Sequence, residues 1–424
     1  MRFAETLKQI WTLKDLKKRI LYAIVLLVIV RILAHIPLPG VNLEELRNFF
    51  GRNQIFGLLN MFSGGSMQNF SVIMMGVGPY ISASIIFQLL GMVIPSLEEL
   101  QKEGESGQQK INYWTRLLTV PLAIIESFGM LSLLKSQGII NSWSPFQLIL
   151  MIASITAGTI LVMWIGELIS ENGIGNGVSL IITLGIIAGL PGQVRNTLAV
   201  LDTSKIISLF IYGVIAIGVI VLIVLVNEGQ RQIPVSYARR IRGLKAYGGV
   251  DTHLPIRVNT AGVIPIIFAM SIMLFPGVAS KYLMQAKSLW LANAATFTSN
   301  LFTNNWFYGA LYFLLVIGFT FFYTGIVLKP QQIAENLQKQ GGFIPGVRPG
   351  TETQSYLARI ISRINLTGAL FLGVIAVLPF IVQAATGIST LVVGGTGVLI
   401  MVSVIIETMR QIQAQLVMRQ YEAY

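Results

Sequence analysis

The chain has 424 residues, of which 54% are hydrophobic and 11% are charged, and its formal net charge is +12. Soluble proteins carry about 25% charged residues, so this composition excludes an ordinary soluble domain and predicts an all-α polytopic membrane protein. The absence of cysteine excludes disulfides, thiolate chemistry and cysteine-based metal sites. Residues 1–18 are charged and lack a small-residue cleavage pattern, so we expect no cleaved signal peptide.

Apolar segments predict ten transmembrane helices, since one span needs about 20 apolar residues. Lysine and arginine concentrate in the N-terminus, in the loops after spans 2, 6 and 8, and in the C-terminus. Because positive loops stay on the cytoplasmic side, both termini are predicted to be cytoplasmic. The predicted spans are 20–36, 71–94, 114–134, 146–168, 178–190, 206–226, 259–279, 306–328, 366–383 and 391–406.

Residues 55–94 form an apolar run that is longer than one span requires, and a Ser-Gly-Gly-Ser sequence at 63–66 interrupts it. A broken backbone is tolerated at membrane depth only where protein or a water-filled cavity surrounds it. We therefore predict that the short piece at 55–62 folds into the protein interior, where it closes an opening.

Ten spans divide into two halves of five, residues 1–202 and 203–424, and an odd number per half requires the second half to be inverted. The second span of each half contains G-V-x-P-x-I, at 76–81 and at 262–267. Interrupted helices at matching positions are typical of the pathway in inverted-repeat proteins. The alternative is that these two six-residue sequences resemble each other by chance. Spans 2, 5, 7 and 10 are the predicted cavity lining.

β-branched side chains on these four spans are candidates for a narrow apolar constriction. Residues four apart share a helix face, and stiff apolar side chains at a narrow point resist ions by dewetting yet spread for a large passenger. The alternative is that these side chains simply face lipid or the protein core, where valine and isoleucine are common in any transmembrane span. The candidates are Val77, Ile81, Val178, Ile182, Ile267 and Ile400.

Arg31 and Glu126 are the ionisable residues deep within predicted spans, and such residues are functional candidates. Glu126 on span 3 is expected to face polar groups on spans 2 and 7, which would form a polar seam between helices. The alternative is a single polar residue satisfied within a packed interface. The expected partners are Ser82, Gln88 and Asn259.

Two predicted cytoplasmic loops, at about 227–258 and 329–363, exceed the 2–8 residues usual between helices of a bundle. Basic residues on ordered turns suit phosphate-rich RNA or an acidic protein. The preference of lysine and arginine for cytoplasmic loops would alone explain why these loops are positively charged, but not why they are long. The candidate docking residues are Arg239, Arg240, Arg242, Lys245 and Arg348.

Catalytic motifs are missing from the sequence. It contains no G-x-x-x-x-G-K-[ST] and no H-E-x-x-H, and its G-x-S sequences lack a histidine at membrane depth. We therefore predict no enzyme, no cofactor and no metal. A secondary transporter for a small solute is the main rival, and the scarcity of intramembrane charge argues against it. A purely structural scaffold would not need an internal broken helix.

Eight segments in this order resemble the SecY family, the central subunit of the bacterial protein-conducting channel. The resemblance runs from the N-terminus to the C-terminal tail. Its motifs are PLPG at 37–40, NMFSGG at 60–65, PYISASII at 79–86, KEGESG at 102–107, GIGNG at 173–177, THLP at 252–255, NTAGVIP at 259–265 and PGVRPG at 345–350.

The resemblance implies an hourglass pore between the two halves, with the apolar candidates as its ring and a lateral gate where spans 2 and 3 meet spans 7 and 8. It implies a channel that passes unfolded secretory polypeptides and releases transmembrane segments into membrane lipid. It implies that the protein is located in the bacterial inner membrane. The implied partners are SecE, SecG, the SecA motor, the ribosome and substrates carrying signal sequences. The implied plug, about 54–70, includes Ile55, Leu58, Leu59, Met61, Phe62, Gly64 and Gly65.

Overall fold

The computed structural model describes residues 13–39, 41, 45–46, 60, 63, 65–136, 138–139, 144–199, 206–237, 240–242, 245–247, 252–284, 288–386 and 395–422. Helices dominate this part of the chain. They are α1 (Lys14–Leu33), α2 (Gly78–Val93), α3 (Pro95–Lys102), α4 (Glu105–Ser136), α5 (Pro145–Asn172), α6 (Gly177–Ala199), α7 (Ile206–Glu228), α8 (Ile264–Leu283), α9 (Leu289–Thr303), α10 (Asn305–Val327), α11 (Pro330–Lys339), α12 (Thr351–Thr386) and α13 (Gly395–Glu422). The strands are β1 (Gln230–Tyr237), β2 (Arg240–Arg242), β3 (Lys245–Tyr247), β4 (Thr252–Arg257) and β5 (Gly342–Phe343).

Several of the described helices are long and apolar enough to cross a membrane. Five meet both conditions alone, and α2 with α3, bent by 103°, would make a sixth. Three shorter apolar stretches lie within α6, α7 and α8. The predicted class, a largely helical multi-pass membrane protein, is therefore confirmed. Each predicted span overlaps a described helix, but the count of ten crossings stays a prediction.

The two G-V-x-P-x-I sequences have the same local backbone. Gly76 and Gly262 have φ of +54° and +63°, a region that favours glycine. In each copy the helix begins two residues later with proline in its first turn, where the missing N–H costs no hydrogen bond. Helices α2 and α8 therefore begin later than residues 71 and 259, where the apolar runs predicted spans 2 and 7 to start.

Three helical features differ from the expectation based on apolar runs. Helix α6 continues through Pro191 to Ala199, although the apolar run of span 5 ends at residue 190. Helix α9 lies between spans 7 and 8 and was not predicted. Helix α12 begins at Thr351, inside the predicted loop at 329–363. In each case the helix extends over polar residues, which hydropathy alone does not detect.

The two predicted cytoplasmic loops share one small sheet. Strand β1 pairs antiparallel with β4 on one side and with β5, from the second loop, on the other. Ile233, Val235 and Ile256 of this sheet are at most 4% exposed and pack in one cluster with Leu337 of α11 and Leu357 of α12. The loops thus form one folded unit, called here the docking sheet (β1, β4 and β5).

The largest apolar core lies at the centre of the helical bundle. It draws buried side chains from α1, α2, α5, α6, α7, α8, α10, α12 and α13. A second core joins residues 67–75 to α4 and α5, and a third joins α1 to α13 through Leu16 and Ile412. The central core therefore connects helices from both ends of the chain.

Candidate functional site

The six β-branched residues predicted for the constriction all belong to the central core. Val77, Ile182 and Ile400 are 1–2% exposed and lie within it. Ile81, Val178 and Ile267 are partly buried and pack against the same core. The structure thus brings together side chains from the start of α2 and from α6, α8 and α13. This set of six is called the apolar ring below.

The backbone at the start of α2 determines where two residues of the apolar ring lie. Val77 is the N-cap of α2, and its carbonyl accepts a hydrogen bond from the Ile81 N–H at 3.0 Å. The two side chains therefore lie one turn apart on one helix face. Because both are β-branched, their χ1 angles are restricted and the surface that they present is stiff.

A small cavity lies beside the apolar ring. It is about 20 Å³ in volume, and Val77, Ile181, Arg31 and Ser63 are among the residues that line it. A space of this size holds about one water molecule. Neither a hydrated ion nor a polypeptide fits in this space.

The predicted plug is only partly covered. Ile55, Leu58, Leu59, Met61, Phe62 and Gly64 lie outside the described residues, whereas Gly65 is described and has φ of +77°. Asn60 is 5% exposed, and its side-chain carbonyl accepts from the Gln68 N–H at 3.0 Å. The Gly65 N–H donates to the Asn60 carbonyl at 2.8 Å. These bonds hold Asn60 against residues 65–68.

The turns at residues 63 and 65–77, called here the turn segment, fold back onto the beginning of α2. A Cβ at Gly76 would lie 3.4 Å from the Ser63 Cα. The Ser66 hydroxyl, which is completely buried, donates to the Ser63 carbonyl at 2.6 Å. The segment is also held to the end of the first span, because the Leu38 N–H donates to the Phe70 carbonyl at 2.8 Å. Ser63 therefore lies directly beside the ring residue Val77.

The four polar residues predicted for the lateral gate divide between two places. Ser82 of α2 lies close to the Glu126 carboxylate of α4, and a Cβ at Gly78 of α2 would lie 4.0 Å from the Glu126 Oε2. The Gln88 amide donates to the Ser84 hydroxyl at 3.0 Å, within α2. The Asn259 amide donates to the Asn227 side chain at 2.8 Å. Helix α8, which follows Asn259, contacts both α2 and α4.

The candidate docking residues lie in the two connections that are predicted to be cytoplasmic. Arg239 is outside the described residues, and the backbones of Arg240, Arg242 and Lys245 form the β2–β3 hairpin, in which Arg242 pairs with Lys245. Arg348 is exposed, and its carbonyl accepts from the Thr353 hydroxyl at 2.8 Å. The turn before it is ordered by glycine at 346 with φ of +82°.

Polar contacts between elements were missed by the sequence reasoning. Arg116 of α4 forms an ion pair with Glu167 of α5 at 2.7 Å. Asn227, at the end of α7, bonds Asn259 and the Ser403 hydroxyl. The only sequence signal was a polar residue at the end of an apolar run. Among the described residues no group of His, Cys, Asp and Glu is arranged to hold a metal ion.

The arrangement defines a class: a multi-pass helical membrane protein whose helices share one apolar core. The SecY family model matches residues 71–409. The SecY protein translocase subunit of Halalkalibacterium halodurans is 40% identical over 432 residues and covers 99% of each chain. That of Mycobacterium bovis is 41% identical and covers 97% of each. The chain belongs to the SecY family.

Solved structures agree on the fold at lower identity. A protein conducting channel has a TM-score of 0.63 at 20% identity and covers 93% of this chain and 91% of its own. Canine Sec61 in a ribosome-channel complex has a TM-score of 0.59 at 18% identity, with the same coverage. Family membership confirms the predicted identity as a channel subunit of a protein translocase, and not an enzyme.

Proposed function

We propose that this chain forms the conduit through which unfolded secretory polypeptides cross the membrane, and from which apolar segments leave sideways into lipid. The observation that carries the proposal is the apolar ring, whose six β-branched side chains come from four separate elements and meet in one core. We further propose that residues 1–202 and 203–424 are inverted halves around this ring. The shared backbone of the two G-V-x-P-x-I sequences supports that division.

The ring is proposed to seal the closed channel by excluding water. An apolar constriction dewets, and an ion cannot cross it without losing its hydration shell. Each side chain comes from a helix that can move as a unit, so separation of the helices widens the ring around a passing chain. The residues assigned to it are Val77, Ile81, Val178, Ile182, Ile267 and Ile400.

Residues 54–70 are proposed to act as the plug. The described part of this stretch supports the assignment, because Ser63 packs on Gly76 and borders the cavity beside Val77. The hydrogen bonds of Ser66 to the carbonyls of Ser63 and Ile73 give the segment a defined resting position. Displacement of the plug would break the bond between the Ser66 hydroxyl and the Ile73 carbonyl.

The lateral gate is proposed to lie where α8 contacts α2 and α4, with Ser82, Gln88, Glu126 and Asn259 as polar groups at or near it. A segment that reaches this seam partitions by its transfer free energy. Central leucines favour lipid, whereas a central arginine disfavours insertion by about 2.5–3.5 kcal/mol. The gate therefore selects transmembrane segments without a catalytic step.

Work for transport must come from a partner, since the sequence contains no phosphate-binding loop. We propose that the ribosome and the SecA motor dock on the docking sheet, the β2–β3 hairpin and Arg348, and that SecE and SecG complete the complex. A similar solved channel, canine Sec61, is described in a complex with a ribosome. The proposed location is the bacterial inner membrane, with both termini cytoplasmic.

A crosslinking experiment tests the conduit. Because the chain has no cysteine, Ile267→Cys carries a single thiol at the ring. Ile272→Cys is the matched control, on the same helix and 39% exposed. With a secretory chain stalled in transit in the complete translocase, Ile267→Cys should crosslink to it and Ile272→Cys should not. Equal yields, or crosslinks from Ile267→Cys only to lipid, would contradict a pore at the ring.

A further inference from the structure

The beginning of the span-7 segment is held by a buried amide. Asn259 follows β4 after one residue and precedes α8, and it is 7% exposed. Its Nδ2 donates to the Asn227 Oδ1 at 2.8 Å. Helix α12 approaches the same point, since a Cβ at Gly368 would lie 2.6 Å from the Val258 carbonyl. The entry to α8 is therefore packed closely against α7 and α12.

Asn227 extends this contact to a third helix. It is 8% exposed, near the end of α7, and its Nδ2 donates to the Ser403 hydroxyl of α13 at 2.7 Å. Its backbone carbonyl accepts from Arg410, also on α13, at 3.2 Å. Ser403 and Arg410 are seven residues apart and so share a helix face. Asn227 thus uses both ends of its amide and its backbone to connect Asn259 with α13.

The buried amides, and not the neighbouring ion pair, carry the energy of this junction. Arg410 and Glu228 are 2.9 Å apart, but their side chains are 28% and 53% exposed. Exposed ion pairs contribute little, because water and salt screen them. The bond from Asn259 to Asn227 is buried and the bond from Asn227 to Ser403 is partly buried. Loss of one partner there leaves the other group unsatisfied. The tether, defined as Asn259, Asn227 and Ser403, is therefore the element to test.

Asn259 is also incompletely satisfied in this arrangement. Its Oδ1 is buried and has no hydrogen-bond partner among the described residues. A buried acceptor that no protein donor reaches is unfavourable unless water satisfies it. An arrangement in which Asn259 leaves Asn227 and its Oδ1 reaches water or a donor would not carry that cost.

We propose that Asn227 is a positioning residue for the gate: it holds Asn259 against α7 and α13 in the closed channel, and this bond is released when α8 moves on opening. The proposal rests on the proposed function. It assigns a role in gating to a residue that touches neither the ring nor the passing chain. The tether must be intact in the closed state and absent in the open state, which makes it measurable.

The test compares Asn227→Leu with Asn365→Leu. Asn365 is 7% exposed, close to the 8% of Asn227, and it accepts one side-chain bond between helices, from the Thr324 hydroxyl at 2.8 Å. It is therefore a buried asparagine of similar chemistry at a different junction. Spin labels on cysteines at Met92 of α2 and Ile272 of α8, both exposed, report the gate distance. The complete translocase in liposomes is measured without partners or substrate.

Asn227→Leu should raise the long-distance population about threefold to tenfold, the range for one net hydrogen bond, and Asn365→Leu should leave it unchanged. Ser403→Ala should give a smaller shift of the same sign and carries the test if Asn227→Leu does not fold. No shift, a shift toward shorter distances, or an equal shift in Asn365→Leu would overturn the proposal. A separate result would refute the proposed function, namely failure of the unaltered complex to transport an intact precursor. The distance measurement does not depend on transport, so the two failures can be distinguished.

Discussion

Replacement of Ile400 by alanine is predicted to make the resting channel leak ions. Ile400 lies on α13, is 1% exposed and packs in the central core. The substitution removes side-chain carbons from a filled site, which typically costs about 2–5 kcal/mol. Because the ring is packed in the closed arrangement and separated in the open one, most of this cost falls on the closed state.

The magnitude follows from the relation between free energy and population. At the lower bound of about 2 kcal/mol, the ratio of closed to open channels falls about thirtyfold, since 1.4 kcal/mol corresponds to a factor of ten. A smaller side chain also widens the constriction, which weakens dewetting. Both effects raise the conductance of the resting channel.

The assay is ion conductance of the purified translocase in planar bilayers without partner or substrate. Ile233→Ala is the matched control, because Ile233 is 2% exposed but lies on β1 in the docking sheet, outside the central core. It should lower thermal stability without increasing conductance. A folded Ile400→Ala channel as tight as the unaltered one, or an equal leak in Ile233→Ala, would refute the reasoning.

Two further substitutions address the plug and the docking sheet. Gly76→Ala places a side chain at φ of +54° and 3.4 Å from the Ser63 Cα, a cost of about 1–2 kcal/mol. It should speed thiol labelling at Ser63→Cys, whereas Gly129→Ala, where the new Cβ meets open space, should not. Ile256→Asp buries a carboxylate at a site that is 4% exposed. It should abolish ribosome binding in flotation assays and leave the conductance unchanged, and retained binding would contradict docking on this sheet.

The apolar ring could be predicted from sequence because its signals are local. The positive-φ glycine and the proline of G-V-x-P-x-I fix where α2 and α8 begin, and residues four apart on a helix share a face. Val77 and Ile81 follow from that spacing alone. The structure places Ile182 and Ile400 in the same core, and their assignment to a constriction between two halves stays a prediction.

The docking sheet could not be predicted, because its strands carry proline. Pro234 lies in β1 opposite His253, and Pro255 lies in β4 opposite Gln232. Proline removes a backbone donor and is read as a sign against a strand. The sheet forms nonetheless, since Ile233 and Ile256 bury apolar surface against α11 and α12. Tertiary packing outweighs the local signal here.

The partner of Asn259 was also beyond sequence reasoning, which expected a polar seam with Glu126. The bond from Asn259 spans 32 positions to Asn227, and the bond from Asn227 spans 176 to Ser403. Polar residues in apolar spans signal that a partner exists but not which one. Only the packing of α7 against α13, beside the segment that precedes α8, selects it.

The connection between the docking sheet and the ring is short, and this decides what a docked partner must overcome. The Val258 N–H donates to the Gly229 carbonyl at 2.9 Å, Asn259 is tethered, and α8, which carries Ile267, begins at Ile264. A displacement of β4 therefore reaches the tether before it moves α8.

The net worth of one hydrogen bond is about 0.5–1.5 kcal/mol, whereas micromolar docking supplies about 8 kcal/mol. A partner that transfers even a fifth of its binding free energy to β4 can therefore release the tether. Thermal energy is about 0.6 kcal/mol, so a hydrogen bond worth about 1.5 kcal/mol stays mostly formed without a partner.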